Sequence, residues 1–107
     1  MTDMILVLTT AAADEAETLA RMLVDERLAA CVNVHASMTS IYRWKGRVER
    51  DAERQLTIKT TRSRLEALQV RLTELHSYEL PELIVLPVEW GSDAYVDWVS
   101  EETRSRE

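Results

Sequence analysis

Apolar residues run without interruption from Met4 to Leu8, ahead of Thr9. A continuous run, rather than an alternating one, predicts a central strand buried on both faces. Ala16, Leu19, Ala20, Leu23 and Val24 then recur at helical spacing, so a helix with one apolar stripe follows. Asp14 and Glu15 stand near its start, where the macrodipole favours negative charge, and Arg27 stands near its end. From Ala30 the pattern alternates. Ala30, Val32 and Val34 fall on one face, and Cys31, Asn33 and His35 on the other. Ser37 to Thr39 is polar and predicts a bend or bulge before Ile41 to Trp44 resumes strand composition. Lys45-Gly46 marks a turn. Val48 to Arg54 is charged, and Gln55 to Thr60 alternates again, with Leu56 and Ile58 apolar, which completes a long hairpin.

Ser63 followed by Glu66 predicts a capping box at the start of a second helix. Leu65, Leu68, Leu72 and Leu75 supply its buried stripe, and Pro81 forbids its extension. Leu83 to Leu86 is a fourth apolar strand, constrained by Pro87 at its end. Gly91-Ser92-Asp93 opens a short third helix with Tyr95, Trp98 and Val99 on one side, and Glu101 to Glu107 should fray.

The order β-α-β-β-α-β plus a C-terminal helix is an α+β, ferredoxin-like split βαβ arrangement. One such domain accounts for residues 1–107. Right-handed crossovers place both main helices on one sheet face and leave the other bare. Bare Ile, Leu and Val form a patch larger than a monomer usually exposes, so the chain should cover it with copies of itself in a closed homo-oligomer.

The chain is 46% hydrophobic and 30% charged with two Gly and two Pro, which excludes disorder. Its net charge of −6 argues against nucleic-acid partners, which are held by Lys and Arg. No apolar run approaches the roughly 18 residues of a membrane span, and Asp3 precedes a run too short for a signal peptide. The lone Cys31 permits no intrachain disulfide. A cytoplasmic protein without membrane association is expected.

Ala29-Ala30-Cys31-Val32-Asn33-Val34, Thr39-Ser40-Ile41-Tyr42-Arg43-Trp44-Lys45-Gly46, Ile58-Lys59-Thr60 and His76-Ser77-Tyr78-Glu79 with Pro81-Glu82 resemble, in order, motifs of the CutA divalent-cation tolerance family. Leu86-Pro87-Val88 and Tyr95 to Val99 resemble its closing segments, so the likeness spans about Met4 to Glu102. The resemblance implies a PII-like homotrimer linked to copper and other divalent cations, with no required cofactor. Ser77 stands where the family usually has Pro, which frees a backbone N–H. His35-Ala36 stands where many relatives have Pro or Ile followed by Pro, so the strand bend there is expected to differ.

Cys31 offers a soft thiol suited to Cu(I) or Zn, although buried free cysteines serve more often as small apolar fillers. His76 and Glu79, three apart at a helix end, would share a face if one helical turn continued. Those three are the candidate metal ligands. His35 and Met38 are weaker additions near Cys31. One chain has one Cys and two His, so a closed soft site needs several copies. Tyr42, Trp44 and Lys59, with Tyr78 and Trp98, invite the alternative of a subunit cleft that holds a small molecule or protein, as in a PII-like signalling module. Packing at a subunit interface, where Tyr and Trp are commonly enriched, is the more usual explanation of such aromatics. With two glycines there is no phosphate loop, and no catalytic triad order is present. Binding without bond-breaking is the expected activity.

Overall fold

The computed structural model describes residues 2–105. The strands are β1 (Met4–Ala12), β2 (Cys31–Val34), β3 (Met38–Trp44), β4 (Arg47–Thr61) and β5 (Ile84–Pro87). The helices are α1 (Ala16–Asp25), α2 (Leu65–Leu75) and α3 (Asp93–Glu102), with a 3₁₀ turn, Arg62–Arg64, leading into α2. This is a mixed α+β fold with one five-stranded antiparallel sheet, ordered β2-β4-β1-β5, in which β3 also pairs with β4. Pro87 is tolerated because β5 lies at the sheet edge. No helix among the described residues is long and apolar enough to cross a membrane.

Period-2 alternation divides β1 between two faces. Ile5, Val7 and Ala11 point to one side and meet Leu56 and Ile58 of β4 in a dry core. Leu19 and Leu23 of α1 and Leu68 and Leu72 of α2 close that core. The other side of β1 carries Leu6 and Leu8, which stand opposite Leu86 and Ile84 of β5. Helix α3 packs on this second face at one end only, through Val96 and Val99 against Met4, Leu6 and Ala30. Ile84 stays 48% exposed and Leu86 42%. The expectation of a wholly bare second face is thus corrected: α3 roofs one end and leaves the apolar middle open.

Local departures from the sequence reading have local causes. Val24 is exposed, because α1 turns it past the edge of its stripe. Ala30 precedes β2 and packs with Met4 and Val99 rather than with Val32 and Val34. The bend expected at Ser37 to Thr39 falls earlier, at 35–37, and is a full break between β2 and β3, both of which pair with β4. Ser63 caps nothing: it lies inside the 3₁₀ turn and its hydroxyl bonds Thr61 Oγ1 at 3.0 Å. The predicted fraying from Glu101 is also wrong, since α3 runs to Glu102 and Thr103 is buried with its hydroxyl donating to the Val99 carbonyl. Residues 106 and 107 lie outside the described residues.

Arg27 occupies the left-handed region at φ 60°, a position usually given to Gly. The Leu28 N–H reaches the Leu23 carbonyl and the Arg27 N–H the Val24 carbonyl, so α1 ends in a Schellman motif. The Arg27 side chain donates to the carbonyls of Glu101 (2.7 Å) and Arg104 (3.1 Å), which ties the end of α3 to the end of α1.

The β3–β4 hairpin turns at Lys45 (φ 50°) and Gly46 (φ 80°), two successive positive φ values that match the right-handed twist of the strands. No heavy atom lies within 4 Å of where a Gly46 Cβ would sit, so Gly46→Ala probes backbone preference alone. A loss of about 1–2 kcal/mol in urea unfolding is expected. An unchanged midpoint would contradict the left-handed turn.

Candidate functional site: an acidic, aromatic cleft

β4 has fifteen residues, and its first half runs beyond the end of β1 with only β3 beside it. Alternation along β3 puts Met38, Ser40, Tyr42 and Trp44 on one face. Cross-strand pairing adds Asp51, opposite Ser40, and Glu53, opposite both Met38 and Ala12. This is the same face as the open side of the sheet. The irregular segment after α2, residues 76–83, runs alongside. Between them lies a cleft of about 970 Å³, within the usual range for small-molecule sites of roughly 300–1,000 Å³.

Pro81 and the end of α2 explain why the segment is irregular, and His76 explains where it goes. Helix α2 stops at Leu75, and His76 is already extended at ψ 138°. Its Nε2 donates to the Thr10 carbonyl at 2.7 Å. Its Nδ1 accepts the Tyr78 N–H at 3.1 Å. These partners fix the tautomer, because a carbonyl can only accept. The His76 and Tyr78 rings pack with centroids 4.5 Å apart. Tyr78 then donates its hydroxyl to Glu53 Oε2 at 2.6 Å, and Tyr42 donates to Asp51 Oδ2. At the rim Lys45 bridges to Glu79 at 3.5 Å and lies 5.6 Å from the Trp44 ring centre.

The electrostatics follow from these contacts. Tyr42 is pushed up to about 12, first by its hydrogen bond to Asp51 and then by desolvation and the negative charge nearby. Tyr78 is held above the ordinary tyrosine range by burial and then by its bond to Glu53. Glu82 is raised above the usual carboxylate value by burial and then by the charge of Glu53. Its Oε2 is shielded from water and has no hydrogen-bond partner.

The structure brings Tyr42, Trp44, Tyr78 and Glu79 together in the cleft, with Met38. It does not bring Lys59 or Trp98 there. Lys59 pairs with Cys31 and Leu6 and lies over Tyr95, on which Trp98 stacks at 5.5 Å. Tyr42 stands opposite Glu49, ten residues before Lys59 on β4, about 33 Å along the strand. Cys31 is half-buried on the open face. His35 is exposed and bonds Thr57 Oγ1 at 2.9 Å. His76 is buried with both ring nitrogens engaged, and Glu79 is solvent-facing. No helical turn continues past Leu75, so His76 and Glu79 do not share a helix face. Within one chain Cys31, His76 and Glu79 stay apart, and the described residues contain no cluster of three His, Cys, Asp or Glu arranged around one ion. Asp51 and Glu53 were missed because a charged run reads as a solvated face, and Glu82 because only the path of the 76–83 segment brings it beside Glu53. The period-2 spacing of Asp51 and Glu53 opposite Met38 and Ser40 was the available signal.

The family model described as CutA1 divalent ion tolerance protein matches residues 4–102. The chain is 43% identical over 99 residues to the divalent-cation tolerance protein CutA of Thermus thermophilus, covering 92% of this chain and 96% of that protein. It is 45% identical over 87 residues to the chloroplastic protein CutA of Arabidopsis thaliana, covering 81% of this chain and 48% of the relative, so it spans about half that relative's length. Among solved structures it resembles the PII-like protein CutA from Nostoc sp. PCC 7120 in apo form, with a TM-score of 0.89 at 40% identity, covering 94% of this chain and 97% of that one.

Glu82 yields a pH prediction. Its raised folded value means the folded chain holds a proton that the unfolded chain releases above the ordinary 4.5. The stability linked to that proton is complete below the unfolded value and is lost as pH rises through the folded one. Glu82→Gln removes this dependence. Urea titrations at fixed protein concentration should show the variant gaining on the parent as pH rises above the ordinary carboxylate value of 4.5. A difference that stays constant with pH would contradict the burial of Glu82 beside Glu53.

Proposed function

Because the chain belongs to the CutA1 divalent ion tolerance family, we propose that it works as a homotrimeric, cytoplasmic, non-enzymatic binding protein whose hairpin clefts hold a small organic ligand. One observation carries this reading. The sheet floor of the cleft, with Thr10, Glu53, Gln55 and Ile84, is continuous with the half-covered apolar face of Leu6, Leu8 and Leu86. Sister subunits that cover this face would also wall the cleft. Ligand occupancy and subunit packing would then be coupled, which suits a PII-like signalling role.

Direct metal binding is the second reading. Cys31, free and half-buried on the same face, favours it, since copies meeting there could pool their thiols around copper or another divalent cation. His76 and Glu79 would enter such a site only by exchanging the hydrogen bonds and the ion pair they now make.

A thermal-shift screen of metabolites beside Cu(II), Zn(II) and Ni(II) separates the two. A ligand present at a hundred times its Kd stabilises the folded state by about 2.7 kcal/mol. Stabilisation by organic compounds, abolished in a Ser40→Trp variant that fills the cleft, is the expected result. Stabilisation by metals alone, lost in Cys31→Ser, would overturn the cleft reading.

A further inference from the structure

Four carboxylates line the cleft, Asp51, Glu53, Glu79 and Glu82, and none of its described lining residues is Lys, Arg or His. An anionic metabolite would meet four like charges and find only Lys45, at the rim and already paired with Glu79, as a cation. A neutral one would leave Asp51, Glu53 and Glu82 without a counter-charge. We propose that the cleft selects a small organic cation, an ammonium group carried on an apolar body. This rests on the cleft reading above and adds the chemical class of the ligand.

The hydrogen-bond inventory points to where the ammonium goes. Asp51 is satisfied on one oxygen by Tyr42, Glu53 on one oxygen by Tyr78, and Glu79 by Lys45. Glu82 is left over, with a buried oxygen that no group of the described chain reaches. A buried acceptor without a donor carries its full desolvation cost. An ammonium arriving from outside supplies both the donor and the charge, and the bond is charge-assisted on both sides. Burial and the neighbouring Glu53 already raise the proton affinity of Glu82, so the site rewards any cation that can take the proton's place.

The rest of the lining suits the remainder of such a molecule. Tyr42, Trp44 and Tyr78 offer aromatic faces, which attract cations through the ring quadrupole. The protein's own Lys45 already uses Trp44 in this way at the rim. Leu80, Pro81, Leu83 and Ile84 provide an apolar wall for a hydrocarbon body. That wall, and the lack of a three-ligand cluster among the described residues, favour an organic cation over a bare metal ion.

Calorimetry on the full chain at low salt with three probes of similar size tests this: 2-phenylethylammonium, 2-phenylethanol and 3-phenylpropanoate. The ammonium should bind about ten-fold or more tighter than the alcohol, and the carboxylate should be weakest. Glu82→Gln keeps the shape of the side chain. It should weaken the ammonium about ten-fold and leave the alcohol unchanged. The alcohol or carboxylate binding as well as the ammonium would overturn cation selection while leaving the cleft reading intact. Ammonium binding that survives Ser40→Trp would place it elsewhere and overturn both. No binding of any probe would overturn the proposal, with the cleft reading then decided by the metabolite screen. If Glu82→Gln does not fold by circular dichroism, the three-probe comparison on the parent chain decides alone.

Discussion

A sheet with helices on one side must still satisfy its other side. Here α1 and α2 seal Ile5, Val7, Leu56 and Ile58 into a dry core. On the opposite face α3 shelters only the end near Met4 and Ala30. Leu6 and Leu8 remain half-exposed, and Ile84 and Leu86 more so, across the middle of the sheet. Apolar area of that kind is removed from water in a stable protein by whatever surface is available, and a second copy of the same surface is always available. That demand calls for a closed homo-oligomer, and the proposal of three copies adds the family resemblance to it. The cleft shares the same face, so its shape in solution depends on how the demand is met.

The cleft itself is built from two accidents of length. β4 outruns β1, which leaves a two-stranded ribbon standing beyond the sheet. The segment after α2 leaves the helix at His76 and cannot resume it at Pro81, so it has to lie somewhere. His76 decides where, because it joins the Thr10 carbonyl to the Tyr78 backbone and so presses Tyr78 toward Glu53. A histidine chosen from the sequence for its ligand chemistry serves in this structure as a brace. The result is a concave, acidic and aromatic surface that no single element would form.

The sequence was most legible where burial repeats. The Leu68 and Leu72 stripe, the β1 run and the Lys45-Gly46 turn all appear where periodicity and turn chemistry place them. It was least legible where the outcome depended on contacts distant along the chain. Ser63 had the capping pattern, yet the backbone entered a 3₁₀ turn first. Lys59 looked like a partner for Trp44 because both lie in one hairpin, but strand length separates them. Glu53 and Glu82 lie 29 positions apart, and only the path of the 76–83 segment makes them neighbours. Family motifs covered Tyr42, Trp44, Tyr78 and Glu82, so the site was partly in view as a resemblance before its geometry gave it a shape.

Sedimentation equilibrium at micromolar concentration examines the central constraint most directly. Shielding of the open face by sister subunits predicts a single species of three times the 12.3 kDa chain mass, with Leu86→Glu shifting it toward lighter forms. A monodisperse monomer that binds no hydrophobic dye would mean that this face is content in water, and the coupling between subunits and cleft would fall with it.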